Sequence, residues 1–180
     1  RPAARAARPP AAGPPGAGKT TLVASWLEVR RLRCLWYQVD EGDGDIATFF
    51  YYMGLAARKA APRNRKPLPL LTPEYLQDIP TFTRRFFENL AGRIQSPFIV
   101  VFDNYQTVPA DALFHDVMAI GLSHLPEGSF AVVLSRTEPP PAFARLRAHE
   151  QMALIEDHAL RLTDDEAYAL AELRGLGKEA

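Results

Sequence analysis

The feature that most constrains this chain is a glycine-rich stretch that ends in lysine and threonine. The stretch Gly13-Pro14-Pro15-Gly16-Ala17-Gly18-Lys19-Thr20-Thr21 fits the pattern G-x-x-x-x-G-K-[ST]. In that pattern the backbone N–H groups converge on the α- and β-phosphates of a nucleotide, and the lysine reaches the β- and γ-phosphates. The apolar run 22–27 supplies the helix that must follow, with its positive dipole end facing the anion. We therefore predict a nucleotide-binding loop over 13–21, with Thr20 on Mg²⁺, rather than a plain turn.

A second informative stretch is the apolar run 98–102, which ends in Asp103. A continuous run without alternation is typical of a strand buried on both faces, and open parallel sheets bind ligands at the carboxyl ends of their strands. We predict that Asp103 helps to hold the magnesium ion. A further buried strand over 130–134 leads to Arg136, which we expect to sense the γ-phosphate; the alternative is an ordinary surface arginine.

Composition narrows the class of protein. The 180 residues are 47% hydrophobic, enough to bury the core of one domain. The 21 basic and 21 acidic residues cancel, so we expect no direct contact of this piece with nucleic acid. Cys34 is the only cysteine, which suits a reducing compartment, and no apolar run is long enough for a membrane span. We predict a cytoplasmic chain and, since it begins at Arg1, a fragment of a larger protein.

The rest of the chain predicts alternating helices and strands. Helices are expected over 20–31, 46–60 with Asp45 as N-cap, 82–94, 110–125 and 166–173, and further short strands over 34–39 and 152–155. Residues 40–45 resemble a calcium loop, but Thr48 stands where an EF-hand has its closing glutamate. The basic patch at 58–66 is interpreted as a solvated loop, with contact to a polyanion as the alternative.

These stretches together resemble the STAND class of P-loop ATPases, in particular the nucleotide-binding domain of large bacterial transcriptional activators of the kind that controls the maltose regulon. The resemblance rests on GPPGAGKTTLVASWL, CLWYQVDEGDGDIATFF, FIVVFDNYQ, VVLSRTEPPPAFARLR and LRLTDDEA. It implies a three-layer α/β fold of the ASCE type, whose mainly parallel sheet has the order 5-1-4-3-2. It also implies an ATP/ADP switch that controls homo-oligomerisation, with sensor and DNA-binding modules outside these 180 residues.

The resemblance implies a nucleotide-binding domain over 13–162 and the start of a following helical segment over 163–180. By position, Lys19 and Thr20 correspond to the Walker A pair, Asp103 to the Walker B acid, and Arg136 to the arginine after the fourth strand. Residues 1–12 depart from the family because they are rich in Arg, Ala and Pro. They are either a degraded first strand or a flexible tail, since proline lacks the amide donor that a central strand needs.

A second departure from the family concerns the residue after Asp103. The family usually has a second acid there, whereas this chain has Asn104, and an amide cannot accept the proton of an attacking water. We therefore expect a slow ATPase that acts as a signalling switch. The alternatives are a P-loop phosphotransferase acting on a small molecule and a degenerate interaction domain that does not hydrolyse nucleotide.

Overall fold

The computed structural model describes residues 18–155 together with Asp165 and Tyr168. Helices are α1 Gly18–Arg30, α2 Ile46–Ala60, α3 Ile79–Ile94, α4 Phe114–Ser123 and α5 Ala144–Ala148; strands are β1 Cys34–Gln38, β2 Ile99–Asp103 and β3 Phe130–Val133. The predicted segment 1–12, the loop residues 13–17 and most of 163–180 lie outside the described residues. The prediction of an α/β architecture is confirmed for the part that the structure describes.

The three strands form one parallel sheet in the order β1-β2-β3. Cys34 lies opposite Ile99 and Gln38 opposite Asp103, while Ile99 lies opposite Phe130 on the other side. β-Branched and aromatic residues precede Asp103 in β2, as a strand covered on both faces requires. The prediction of a buried strand over 130–134 was wrong about burial, since β3 is only partly buried and Phe130 is 46% exposed. Three strands do not test the expected order 5-1-4-3-2, which stays a prediction. The prediction of a strand at 152–155 was wrong, since these residues have no strand conformation. In the expected order, that strand would pair with one formed by residues 1–12.

The two faces of β2 contact different helices. Ile99 and Val101 pack with Ala24 and Leu27 of α1 in one cluster, whereas Val100 and Phe102 belong to a larger core shared with α2, α3 and α4. Successive side chains of a strand point to opposite faces, so this division follows directly from the alternation along β2. Helices therefore cover both faces of the sheet.

Aromatic side chains fill the larger core. Phe50 of α2 stacks edge-on against Phe82 of α3 with ring centroids 4.8 Å apart, and Phe49 meets Phe114 of α4 at 5.0 Å. Edge-to-face pairs at these separations add to the stabilisation from buried area. Phe49 and Phe50 of α2 are therefore core residues, whereas Tyr51 is 53% exposed.

Helix ends follow capping chemistry, and they correct two of the predicted boundaries. Asp45 caps α2 by accepting hydrogen bonds from Ala47 N and Thr48 N, as predicted. Helix α3 begins at Ile79, three residues before the predicted start, because Asp78 accepts a bond from Thr81 N and Pro80 fits the first turn. Helix α4 is shorter than the predicted 110–125, and residues 110–113 form a turn before it. None of the described helices is long and apolar enough to cross a membrane.

Helices α3 and α4 approach each other at Gly121, which gives a stability prediction. A Cβ at Gly121 would lie 2.3 Å from Cε2 of Phe87, a side chain that is itself fully buried. Gly121→Ala should therefore lower the free energy of unfolding by about 1–3 kcal/mol through overpacking, although alanine is the better helix former. Urea unfolding followed by circular dichroism measures this.

The matched control is Gly92→Ala on the exposed side of α3, where a Cβ would have nothing within 4 Å. Helix propensity alone should then raise the free energy of unfolding by roughly 0.5–1 kcal/mol. Equal effects of the two substitutions would contradict the close packing of α3 on α4.

Candidate nucleotide-binding site

The alternation along β2 determines where its terminal carboxylate lies. Ile99, Val101 and Asp103 share one face of the strand, and the first two pack in the α1 cluster. Asp103 therefore emerges on the α1 side, at the carboxyl edge of the parallel sheet. Its backbone carbonyl accepts a hydrogen bond from Val39 N at 2.8 Å, which fixes the end of β2 beside the end of β1.

The first turn of α1 lies directly against this edge. Thr20 Oγ1 donates to the Asp103 carboxylate, with oxygen separations of 3.3 and 3.4 Å. Lys19 Nζ donates to the backbone carbonyl of Ser135 at 3.2 Å, just beyond β3. Residues that are 83 and 116 positions apart in the chain thus meet at the carboxyl ends of two neighbouring strands.

Asp103 is 6% exposed, and its surroundings have opposing effects on the pKa of its carboxyl group. Burial raises the pKa of its carboxyl group and is the largest effect. Hydrogen bonds from Asn104 N, Thr20 and Trp36, and the positive charge of Arg136, act in the opposite direction without cancelling it. The ionised carboxylate is therefore held at an energetic cost in the protein without ligand, as expected of a group whose cationic partner would be a metal ion.

Asn104 continues the chain from Asp103 in a left-handed conformation, with φ 61° and ψ 36°. Its backbone N–H donates to Asp103 Oδ1 at 3.0 Å, and the next amide, Tyr105 N, donates to the carbonyl of Leu134 at 3.0 Å. Asparagine is among the few residues besides glycine that adopt this conformation routinely. The turn holds the Asp103 carboxylate towards α1 and ties the end of β2 to the end of β3.

Arg136 is exposed and lies at the same edge of the sheet. Its backbone N–H donates to Gln106 Oε1 at 3.2 Å, so the segment after β3 is fixed to the turn after β2. The effect of its charge on the Asp103 pKa shows that the two side chains share one electrostatic environment. The predicted residues Lys19, Thr20, Asp103 and Arg136 are thus brought to one edge, whereas Gly13 to Ala17 lie outside the described residues.

The sequence did not predict a buried Tyr105–His115 pair, which supports the turn after β2 from the core side. Tyr105 Oη lies 3.0 Å from His115 Nδ1, and His115 Nε2 lies 2.9 Å from the carbonyl of Pro109. A carbonyl only accepts, so Nε2 carries a proton, and in the neutral imidazole Nδ1 then accepts from the tyrosine hydroxyl. Burial raises the pKa of Tyr105, which keeps that hydroxyl protonated as a donor. A histidine ten residues after a tyrosine has no distinctive spacing, so only the fold reveals the pair.

The donors at this edge match the ligand preferences of Mg²⁺. Magnesium takes hard oxygen ligands, usually one or two from protein together with phosphate oxygens and water. The Thr20 hydroxyl and the Asp103 carboxylate already lie within hydrogen-bond distance of each other, so one ion could contact both. In the part of the chain that the structure describes, no cluster of three His, Cys, Asp or Glu side chains offers an all-protein metal site.

A cavity of about 1090 Å³ opens beside this edge, along the outer side of β3. Its walls include Lys19 and Val23 of α1, Val132 of β3, Ser135 and Leu154. The cavity thus extends from the candidate phosphate site along a strand whose residues are partly exposed. Ligand or further protein chain could occupy this space.

Comparison with known proteins relates the chain to transcriptional regulators. It is 30% identical over 163 residues to the HTH-type transcriptional regulator MalT of Yersinia pestis (strain Pestoides F) and of Yersinia pseudotuberculosis serotype O:1b (strain IP 31758). It is 31% identical over 163 residues to the protein of that name from Serratia proteamaculans (strain 568). Each match covers 89% of this chain but only 18% of the relative. No protein-family model matches. Most of this chain is therefore distantly homologous to a short part of these regulators.

The raised pKa of Asp103 predicts how stability depends on pH. Because the folded pKa lies above the unfolded value, the folded state binds more protons between the two, and stability falls as pH rises through that window. Asp103→Asn should therefore raise the unfolding temperature at pH 7 in the absence of nucleotide and metal, by roughly 2–4 °C for each kcal/mol regained.

Thermal unfolding between pH 3.5 and 7.5 measures this effect. The advantage of Asp103→Asn should shrink as pH falls and disappear once the wild-type carboxyl group is protonated in both states. Asp111→Asn, at an exposed position before α4, should change the unfolding temperature little. A lower unfolding temperature for Asp103→Asn at pH 7 would show that the carboxylate stabilises the fold.

Proposed function

We propose that this chain is the nucleotide-binding switch module of a bacterial transcriptional regulator, which binds Mg²⁺ with ATP or ADP and hydrolyses ATP slowly. The observation that carries the proposal is the contact between Thr20 Oγ1 and the Asp103 carboxylate at 3.3 Å. It joins the end of the glycine-rich loop to the carboxylate that ends a buried strand, which is the juxtaposition that a Mg²⁺–phosphate site needs. The similarity to the regulator MalT supports the regulatory half of the proposal.

Each residue at the edge has a distinct role in this proposal. The loop 13–18 holds the phosphates through backbone N–H groups, and Lys19 exchanges its contact with the Ser135 carbonyl for the β- and γ-phosphates. Thr20 and Asp103 hold Mg²⁺, which would neutralise phosphate charge. Arg136 is exposed at the same edge, so its guanidinium can reach towards the γ-phosphate and distinguish ATP from ADP.

The proposal of a switch rests on Asn104. A long-lived ATP state suits a regulator, and an amide beside the metal-binding carboxylate leaves the attacking water without the base that an acid would supply. The backbone N–H of Asn104 instead supports Asp103. The residue therefore favours nucleotide occupancy, rather than turnover, as the signal.

The remaining features of the proposal concern the whole protein. We propose that the sheet continues beyond β3, as the order 5-1-4-3-2 requires, with the cavity of about 1090 Å³ as the space for the strand next to β3. DNA recognition and signal sensing are assigned to parts outside these 180 residues, since the 21 basic and 21 acidic residues leave no net field to attract DNA. We further propose a cytoplasmic protein that forms homo-oligomers in its ATP state.

Lys19→Ala provides the first test. The substitution removes a cation from a partly exposed helix start, so we expect ATP affinity to fall by at least about 30-fold while the unfolding temperature changes little. Isothermal titration calorimetry with ATP and ADP measures it. Lys59→Ala, an exposed lysine near the end of α2, is the matched control and should bind like wild type. Unchanged ATP affinity in Lys19→Ala would overturn the site assignment.

Asp103→Ala tests the metal role separately. Because this carboxylate would act through the ion, we expect affinity for Mg²⁺-ATP to fall by at least about tenfold and affinity for metal-free ATP to change much less. Titrations with and without Mg²⁺ in the same buffer make the comparison. Equal weakening in both would identify Asp103 as a structural residue.

Asn104→Asp tests the basis of slow turnover. The new carboxylate should raise steady-state hydrolysis at least about tenfold, because general-base catalysis contributes roughly 10²–10⁴ in rate. ATP affinity should stay within a few-fold, and it must be measured beside phosphate release because the added charge lies next to Asp103. Fast hydrolysis by the unaltered chain would show that another residue activates water and would favour an enzyme over a switch.

A further inference from the structure

We propose that the opposite, amino-terminal edge of the sheet carries a second binding site, for a small phosphate-bearing anion that is not a nucleotide. The site is a pocket of about 670 Å³ between the end of α2, the loop that follows it, the end of α3 and the start of β1. Strands of five residues separate it from the Asp103 edge by about 13 Å. The two sites are therefore distinct, and this proposal does not depend on the function proposed above.

The lining of the pocket is strongly basic. Four of its residues are arginines, Arg33, Arg63, Arg65 and Arg93, and none of its lining residues is Asp or Glu. The chain as a whole carries balanced charge, so this concentration of one sign is local. A concave surface with one sign of charge attracts counter-ions more strongly than a flat one.

Arg93 provides a positive charge that is buried at the pocket. It is 6% exposed, and its guanidinium donates to the carbonyls of Ala57 at 3.3 Å, of Ala61 at 3.4 Å and of Lys66. These acceptors are dipoles and carry no net charge. Burial, followed by the nearby charge of Arg58, lowers the pKa of Arg93. A buried cation whose described partners are neutral is stabilised by an anion in reach.

Asn64 holds the loop that presents two of the other arginines. Its side-chain Nδ2 donates to the carbonyl of Arg93 at 3.1 Å, and its Oδ1 accepts from Lys66 N at 3.1 Å. Because Asn64 is fixed on α3 in this way, Arg63 and Arg65 on either side of it have a defined backbone position. Their side chains are exposed and can close on a ligand.

Arg33 completes the pocket from the side of the sheet. Its carbonyl accepts a hydrogen bond from Ile99 N at 2.9 Å, which ties it to the start of β2. Its Nη1 donates weakly to Gln95 Oε1 at 3.5 Å, which leaves most of the guanidinium fork available. Arginines from three different parts of the chain thus line one space.

The chemistry of the lining favours phosphate without a base. Guanidinium groups bind phosphate oxygens through paired hydrogen bonds, and several together match a group with two or more charges. The volume lies in the range of small-molecule sites. None of the lining residues is aromatic, so the pocket offers no surface for stacking a nucleobase. A phosphorylated metabolite or an inorganic oligophosphate fits these properties best.

The test uses inorganic pyrophosphate as the probe and calorimetry on the 180-residue chain, without Mg²⁺. The Lys19→Ala variant weakens binding at the other edge and should retain a pyrophosphate site. Adding Arg63→Ala and Arg65→Ala to that variant should weaken the remaining site at least about tenfold. The matched control adds Arg85→Ala and Arg147→Ala instead, two exposed arginines outside the pocket, and should change the affinity less than twofold.

Hydrogen exchange and a second anion make the result decisive. Pyrophosphate should slow amide exchange in 61–66 of the Lys19→Ala variant, and citrate at the same concentration should bind at least about tenfold more weakly, since carboxylates match the arginine forks with less charge per group. Equal loss of binding in both double-arginine variants would overturn the proposal in favour of general charge attraction. The proposal would also be overturned if the single substitution Lys19→Ala abolished pyrophosphate binding, or if citrate bound as tightly as pyrophosphate.

Discussion

The burial of β2 on both faces is the constraint on which the rest of this structure depends. All five of its residues are buried, with α1 on one side and α2, α3 and α4 on the other. Because side chains alternate, the same run that fills both cores also determines which side Asp103 leaves from. A shift of one residue in register would turn the carboxylate away from Thr20 and into the aromatic core. The register of β2 therefore determines both the packing of the core and the geometry of the candidate site.

The Asp103 environment illustrates how such a site is held at the expense of stability. Burial raises the pKa of the carboxyl group more than its hydrogen bonds and the charge of Arg136 lower it. The backbone on either side supports this arrangement, through Val39 N on the carbonyl of Asp103 and Tyr105 N on the carbonyl of Leu134. The buried Tyr105–His115 pair then fixes the turn from the core side. The described hydrogen bonds to the Asp103 carboxylate come from neutral groups and not from a cation. Packing elsewhere in the protein offsets the cost of ionising this carboxylate.

Much of the fold could be predicted from local sequence. The apolar run before Asp103 predicted a doubly buried strand, and Asp45 and the residues after it predicted α2 with its observed bounds. Boundaries that depend on turn chemistry were harder, as shown by the early start of α3 at Ile79 and the late start of α4 at Phe114. The strand predicted at 152–155 was wrong because a β-prone run forms a strand only where it pairs, and these residues pair with none of the three described strands.

The candidate site also contains features that the sequence predicts and features that only the fold reveals. Its individual residues follow from motifs, but the contact of Lys19 with the Ser135 carbonyl and the Tyr105–His115 pair join parts of the chain with no recognisable spacing. The hydrogen bond from Arg136 N to Gln106 Oε1 also could not be predicted from the sequence, because no motif marks Gln106. The arginine pocket is an intermediate case. Its basic residues at 58–66 were visible as a patch, yet only the fold adds Arg33 and Arg93 and makes the patch concave.

The left-handed backbone at Asn104 limits which residues can occupy this position. Few side chains tolerate φ 61° without strain, and asparagine, aspartate and glycine are the usual ones. The conformation therefore admits the amide and the acid almost equally, and these two differ in chemistry while matching in shape. One could replace the other at this position without repacking, so an exchange of amide for carboxylate beside Asp103 would change the chemistry of this edge and leave the fold unchanged. Selection on the chemistry of this edge would then act through a single residue, independently of selection on the fold.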